Sequence, residues 1–157
     1  MVVDADDLIS NKIASFVNKQ KTNAPGWYIN KGYYYKEGTN YLFLNKKTFN
    51  NLCGSCLIVR TDLFLKLIVN DPWLYYYHEL MELPGNIKSQ AIPFSGALYS
   101  MANGENHFMS SEHAIKLMTK QKISYKQNII NLYNKFLKYI VRPLTPNFKK
   151  NFGFYKV

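Results

Sequence analysis

The sequence predicts an α/β domain whose C-terminal region is helical and basic. Its 157 residues, 47% hydrophobic and 16% aromatic, suffice for about one folded domain with a sizeable core. The chain opens on apolar Val2-Val3, then Asp4-Ala5-Asp6-Asp7, then the helix-like run Leu8 to Ile13. That is the order of a strand ending in carboxylates ahead of a helix, and open α/β sheets bind ligands at such strand ends. The net charge of +10 is unevenly held. Residues 1–112 contain all ten acids and ten of the twenty lysines and arginines, whereas His113 to Val157 contain ten basic residues and no acid.

Taken in order, the first helix is expected to run to about Lys19, before the breaker Asn23-Ala24-Pro25-Gly26. Trp27 to Lys36 and Tyr41 to Asn45 read as two aromatic strands, joined as a hairpin by Glu37-Gly38-Thr39-Asn40. Thr48 to Leu52 reads as a short helical link and Ser55 to Arg60 as a buried strand. Asp62 to Val69 is expected as a helix capped by Thr61 and broken at Asn70-Asp71-Pro72. Trp73 to Leu83 reads as a further helix stopped by Pro84-Gly85, with Ile87 to Pro93 and Gly96 to Met101 as short strands. Ser124-Tyr125-Lys126-Gln127 has the form of a capping box. After it, Tyr125, Ile129, Tyr133, Phe136, Leu137 and Ile140 recur at helical spacing as far as Arg142-Pro143, with Lys126, Lys135 and Lys138 opposite. Such an amphipathic helix covers the core or lies on a membrane.

The acidic cluster has two readings. Carboxylates two residues apart can point the same way, and hard oxygen ligands suit Mg²⁺ or Mn²⁺ holding a phosphate. Alternatively Asp7 or Ser10 caps the first helix, whose dipole favours carboxylates in its first turn. The basic end suggests an anionic partner, whether a membrane surface, a phosphorylated ligand or nucleic acid, or else a lysine-rich solvated surface. Alternating Lys and Tyr in the hairpin could stack on bases, but aromatic strands are commonly just β-formers. The spacing of Cys53 and Cys56 suits a metal knuckle or a redox pair, but a structural zinc needs two more ligands and a redox pair is expected to open a helix. Cys56 to Arg60 reads instead as a buried strand, so the two cysteines read as small buried thiols. No stretch is apolar enough to cross a bilayer, and the early acids break any signal-like start, so a cytoplasmic location is the default.

Set in this order, the segments resemble the second half of a family-two glycosyltransferase. Val2 to Ser10 resembles that family's Asp-x-Asp strand and helix, and Leu52-Cys53-Gly54-Ser55-Cys56 through Phe64 its Gly-Ser strand, arginine and helix. Tyr77-His78-Glu79-Leu80 falls where the family has an acidic pair, and Asn103 to Ser110 in its late donor loop. The resemblance implies a partial GT-A, Rossmann-like mixed sheet over residues 1–112, lacking its N-terminal βαβ units, with 113–157 as a basic helical extension. It also implies an inverting, metal-dependent transfer from a nucleotide-diphosphate sugar to a glycan or lipid-linked acceptor, as in bacterial surface-polysaccharide synthesis. Asp4 and Asp6 would hold Mn²⁺ or Mg²⁺ and the donor, with His107 as third metal ligand. Asp7 would assist at the donor or cap the helix. Glu79 or His78 would be the base, His78 standing where the family has its first acid; an unperturbed histidine titrates near pH 6.5. A separate chain would supply the missing half, and the basic end would reach the inner face of the membrane. The competing expectations are a catalytically incomplete remnant acting as a binding module, and a small basic membrane- or nucleic-acid-binding protein.

Overall fold

A computed structural model describes residues 1–20, 23–51, 53–70, 82–83, 87–101 and 139–154. Over these the chain is mixed α/β. In chain order the elements are β1 (Leu8–Ile9), α1 (Lys12–Lys19), β2 (Gly26–Tyr28), β3 (Gly32–Lys36) and β4 (Tyr41–Asn45). A 3₁₀ turn at Phe49–Asn51 leads to β5 (Leu57–Val59) and α2 (Thr61–Asn70). Then come β6 (Glu82–Leu83), β7 (Ile87–Lys88), β8 (Gln90–Ala91), β9 (Ala97–Met101), β10 (Tyr139–Pro143) and α3 (Pro146–Phe152).

The strands form a five-stranded sheet in the order β1-β9-β3-β4-β10, a three-stranded sheet β5-β2-β8 and the small hairpin β6-β7. In the larger sheet only β3 and β9 run parallel; in the smaller one β2 and β8 do. These two parallel pairs are continuous. The Tyr28 carbonyl accepts from Ile92 N–H at 3.0 Å and the Lys31 carbonyl from Gly96 N–H at 3.1 Å, so two neighbouring chain segments pass together from one sheet to the other.

That crossing corrects the expected single strand Trp27 to Lys36. Ile29 N–H donates to the Cys56 carbonyl at 2.9 Å and the Asn30 carbonyl accepts from Phe49 N–H at 3.1 Å, so residues 29–31 bond outside either ladder and divide β2 from β3. Ile87 to Pro93 is also divided, at Ser89, where the chain leaves the hairpin with β6 and joins β2. The hairpin β3-β4 forms as read, Tyr34 opposite Phe43 and Tyr35 opposite Leu42, and Gly38 takes the left-handed conformation (φ 81°) its turn requires.

One core lies between the sheets. Ile13 of α1 packs there with Trp27, Ile29, Tyr34, Phe49, Cys53 and Cys56, and Phe16 meets the Trp27 and Phe94 rings edge-on. Apolar Ile13, Phe16 and Val17 recur at helical spacing, which gives α1 its inward face. A second core forms on the far side of the larger sheet, where Tyr35, Leu42 and Leu98 meet Phe152 of α3, flanked by Tyr33, Phe148 and Phe154.

Four more expectations change. Val2-Val3 are exposed and belong to no strand; the strand comes after the acids, where Leu8 and Ile9 pair with Leu98 and Ala97. The helix therefore starts at Lys12 rather than Leu8. Glu82–Leu83 is a strand returning through β7, not a helix end. Tyr139–Pro143, placed by periodicity at the end of the basic helix, is a strand antiparallel to β4. The rest of that helix, together with His78, Glu79 and His107, lies outside the described residues.

Candidate functional site

The acidic cluster is a tight turn leading into an edge strand. Asp7 N–H donates to the Asp4 carbonyl at 3.1 Å, which closes the turn, and β1 then pairs with β9 at the border of the five-stranded sheet. Beneath the turn lies the loop Cys53-Gly54-Ser55-Cys56. Asp4 N–H donates to the buried Ser55 hydroxyl at 2.8 Å. At Gly54 a Cβ would stand 2.7 Å from Asp4 Oδ2, so glycine leaves the room in which that carboxylate sits. The acidic turn and the Gly-Ser segment, 51 residues apart, thus form one structure.

The three carboxylates differ in environment. Asp4 is exposed and Asp6 half-buried. Asp7 is only 6% exposed; its Oδ2 accepts from the Cys53 thiol at 3.3 Å, and its Oδ1 has no hydrogen-bond partner among the described residues. Burial pushes the Asp7 carboxyl up to about 6, against the opposing pull of the Ser55 hydroxyl and the Cys53 thiol, and the charges of Asp6 and Asp4 push the same way as burial. Cys53 in turn is driven up by its neighbour Cys56, then by burial and by Asp7, so it is a thiol rather than a thiolate. The expectation of two buried, unpaired thiols therefore holds.

Tyr99 completes the site. The β1–β9 register, Leu8 opposite Leu98, carries on to place Tyr99 across from Asp7. Burial raises its phenol, and the charges of Asp7, Asp6 and Asp4 add to that. Tyr99 meets Tyr34 edge-on at 6.0 Å, and Tyr34 accepts a hydrogen bond from the buried Asn45 amide at 3.1 Å. The turn therefore rests on a line of aromatic side chains across β9 and β3.

As helix caps, the acids fail. Asn11 stands at the N-cap of α1 without a side-chain bond, and the Ser10 hydroxyl accepts from Lys12 N–H at 3.3 Å. Asp7 is turned to Cys53 instead. At the start of α2, Thr61 is itself helical, and Arg60 is held by Asp62 in an exposed two-pronged pair of 2.6 and 2.9 Å.

Among the described residues no three His, Cys, Asp or Glu side chains gather closely enough to hold a metal. Asp4 and Asp6 still offer hard oxygen donors at an accessible turn, and Mg²⁺ is commonly held by one or two carboxylates together with the substrate's own phosphates. Asp7 does not fit a ligand's role, because it is buried and taken by Cys53. Tyr99 has no part in the sequence reading, and Ser55 enters it only within the Gly-Ser segment, with no role assigned at the site. Ser55 had a signal in the run of small residues between the cysteines; Tyr99, set by strand register, had none. Compared with models of known protein families, with curated proteins and with solved structures, the chain matches none of them.

Proposed function

We propose that the acidic turn is the donor side of a GT-A glycosyltransferase that moves a sugar from a nucleotide diphosphate to a glycan or lipid-linked acceptor in surface-polysaccharide synthesis. The observation that carries this reading is the meeting of Asp4 with Gly54 and Ser55. Two segments that resemble the same family's motifs, far apart in the chain, support and shape one another.

Asp4 and Asp6 would hold Mg²⁺ or Mn²⁺ against the donor's phosphates. When bound, the metal neutralises charge on the departing diphosphate. Ser55 fixes the backbone at Asp4, and Gly54 keeps the space beside its carboxylate open. Asp7, buried and bonded to Cys53, anchors the turn from below. His107 as third ligand and Glu79 or His78 as base belong to the same reading. The basic C-terminal region, residues 113–157, would bring the site to an anionic membrane surface, where a lipid-linked acceptor resides. Adsorption to vesicles containing anionic lipid is then expected at low salt, and its loss as the Debye length falls to about 3 Å near 1 M salt.

Manganese-dependent binding of UDP or GDP to the full chain tests the site, measured by calorimetry with Asp6→Ala alongside. Binding that needs the metal and disappears in Asp6→Ala is expected. No binding at millimolar nucleotide, or equal binding by Asp6→Ala, would sink the reading.

A further inference from the structure

Both cysteines of the chain lie in the loop beneath the acidic turn, and both are free, fully buried thiols. Only Gly54 and Ser55 separate them, and the loop folds tightly, with Cys56 N–H donating to the Gly54 carbonyl at 2.9 Å. Their side chains share one buried core cluster. Three successive residues of the loop bear on the turn above it: Cys53 donates to Asp7, Gly54 abuts Asp4 and Ser55 accepts from Asp4. Paired thiols at this spacing are the unit of reversible dithiol chemistry.

We propose that Cys53 and Cys56 form a reversible thiol-oxidation site, which closes an intrachain disulfide on reaction with a peroxide and thereby loosens the Asp4–Asp7 turn. The segment Met1 to Ala5 is exposed, so opening of the turn gives a small oxidant its route to the loop. The Cys53 thiol is tied to Asp7 by its hydrogen bond, which makes Cys56 the sulfur that reacts first. One peroxide oxygen passes to the Cys56 sulfur, giving the sulfenic acid, and the rest of the peroxide leaves as water. The Cys53 sulfur then displaces the hydroxyl, the S–S bond forms, and the Cys53 proton departs with that hydroxyl as a second water. Two thiols lose two electrons and two protons, and one peroxide becomes two waters. A low-molecular-weight thiol restores the dithiol by exchange.

Closure removes the hydrogen that Cys53 shares with Asp7 Oδ2. Asp7 is then a buried carboxyl left with the Ser55 hydroxyl alone and with Oδ1 still unpartnered among the described residues, a less satisfied state in the interior. Relief comes from swinging the turn outward, which carries Asp4 and Asp6 with it. As regulation of the donor site this rests on the function proposed above; the disulfide itself does not.

The test treats the folded full chain with hydrogen peroxide, blocks remaining thiols by alkylation and maps the tryptic peptide Thr48–Arg60, which contains both cysteines. Loss of two hydrogens with no alkyl group added, reversed by dithiothreitol, is expected. Hydrogen exchange at the Asp4 and Asp7 amides should be faster in the disulfide form by about tenfold or more. A disulfide formed only after denaturation, or one cysteine carried on to sulfinic acid, would overturn the site. Unchanged exchange at both amides would overturn its coupling to the turn. The mapping needs no variant, so a folding defect in Cys53→Ser leaves it intact; where Cys53→Ser folds, Cys56 should stop at a sulfenic acid that dimedone traps. Absence of manganese-dependent UDP binding from both reduced and oxidised chain would instead sink the glycosyltransferase reading and leave the disulfide standing.

Discussion

Asp7 holds a carboxyl that burial raises to about 6 from an ordinary 3.8, so the folded chain binds this proton more tightly than the unfolded chain does. The group's contribution is fully stabilising below pH 3.8 and is lost as pH rises through about 6; by pH 7 the ionised form costs roughly 3 kcal/mol, an upper figure from the size of the shift. Melting temperature should therefore rise as pH is lowered from 7.5 to 5, to the extent that this group governs it. Asp7→Asn keeps an oxygen to accept from Cys53 and removes the charge. It should stabilise the chain at pH 7.5 by about 1–3 kcal/mol and at pH 5 by about half as much, the difference vanishing only below pH 3.8. Thermal melts at the two pH values decide the matter. Equal destabilisation at both would mean that the unpartnered Oδ1 is served by something an amide cannot replace.

At the scale of elements, the pairing of β2 with β5 depends on a glycine. A Cβ at Gly26 would stand 2.3 Å from the Ile58 carbonyl oxygen, and a ladder carbonyl cannot step aside as a side chain can. Gly26→Ala should cost on the order of 2 kcal/mol or more, read as a lower urea midpoint. Thr145 caps α3 by accepting from Phe148 N–H at 3.2 Å, and Thr145→Ala should cost about 1 kcal/mol by the same measurement. The elements legible in the sequence were those fixed by neighbours in the chain. Glu37-Gly38-Thr39-Asn40 carries its own turn signal in Gly38, and α2 follows from its own run of apolar residues. Those missed were fixed by partners far away. β10 carries helically spaced residues, yet β4 leaves an open ladder beside it, and an edge strand tolerates Pro143 at its end. Val2-Val3 has strand character but no ladder, while Leu8-Ile9 meets β9, which moved the acids from after the strand to before it. The same holds for the site: the acids and Gly54 were visible as residue types, whereas the contacts of Asp7 with Cys53 and of Asp4 with Ser55 came from the fold.

For the molecule as a whole, α3 acts as a strap across the outer face of the five-stranded sheet. It starts beyond β10, where Leu144 N–H donates to the Asn40 carbonyl at 3.0 Å at the hairpin turn, and it ends beside α1, where the Asn151 carbonyl accepts from Asn11 N–H at 2.9 Å. Between these ties Phe148 and Phe152 stack at 4.4 Å and both meet Tyr33 edge-on, while Phe154 covers Tyr35. The strap thus joins the two borders of the sheet, one bearing the acidic turn through β1 and the other β10. Phe152, 7% exposed, is its deepest residue. Truncating a buried phenylalanine to alanine typically costs about 3–5 kcal/mol, a large share of the roughly 5–15 kcal/mol that holds a domain together. Phe152→Ala should therefore lower the melting temperature by about 10 °C or more. Because the strap reaches Asn11, its release should also quicken hydrogen exchange at Leu8 and Ile9, on the strand that follows the acids, more than at the central Tyr34 and Tyr35. Uniform acceleration across all four residues would mean that Phe152 supports global stability only, and that the two borders of the sheet are not tied through α3.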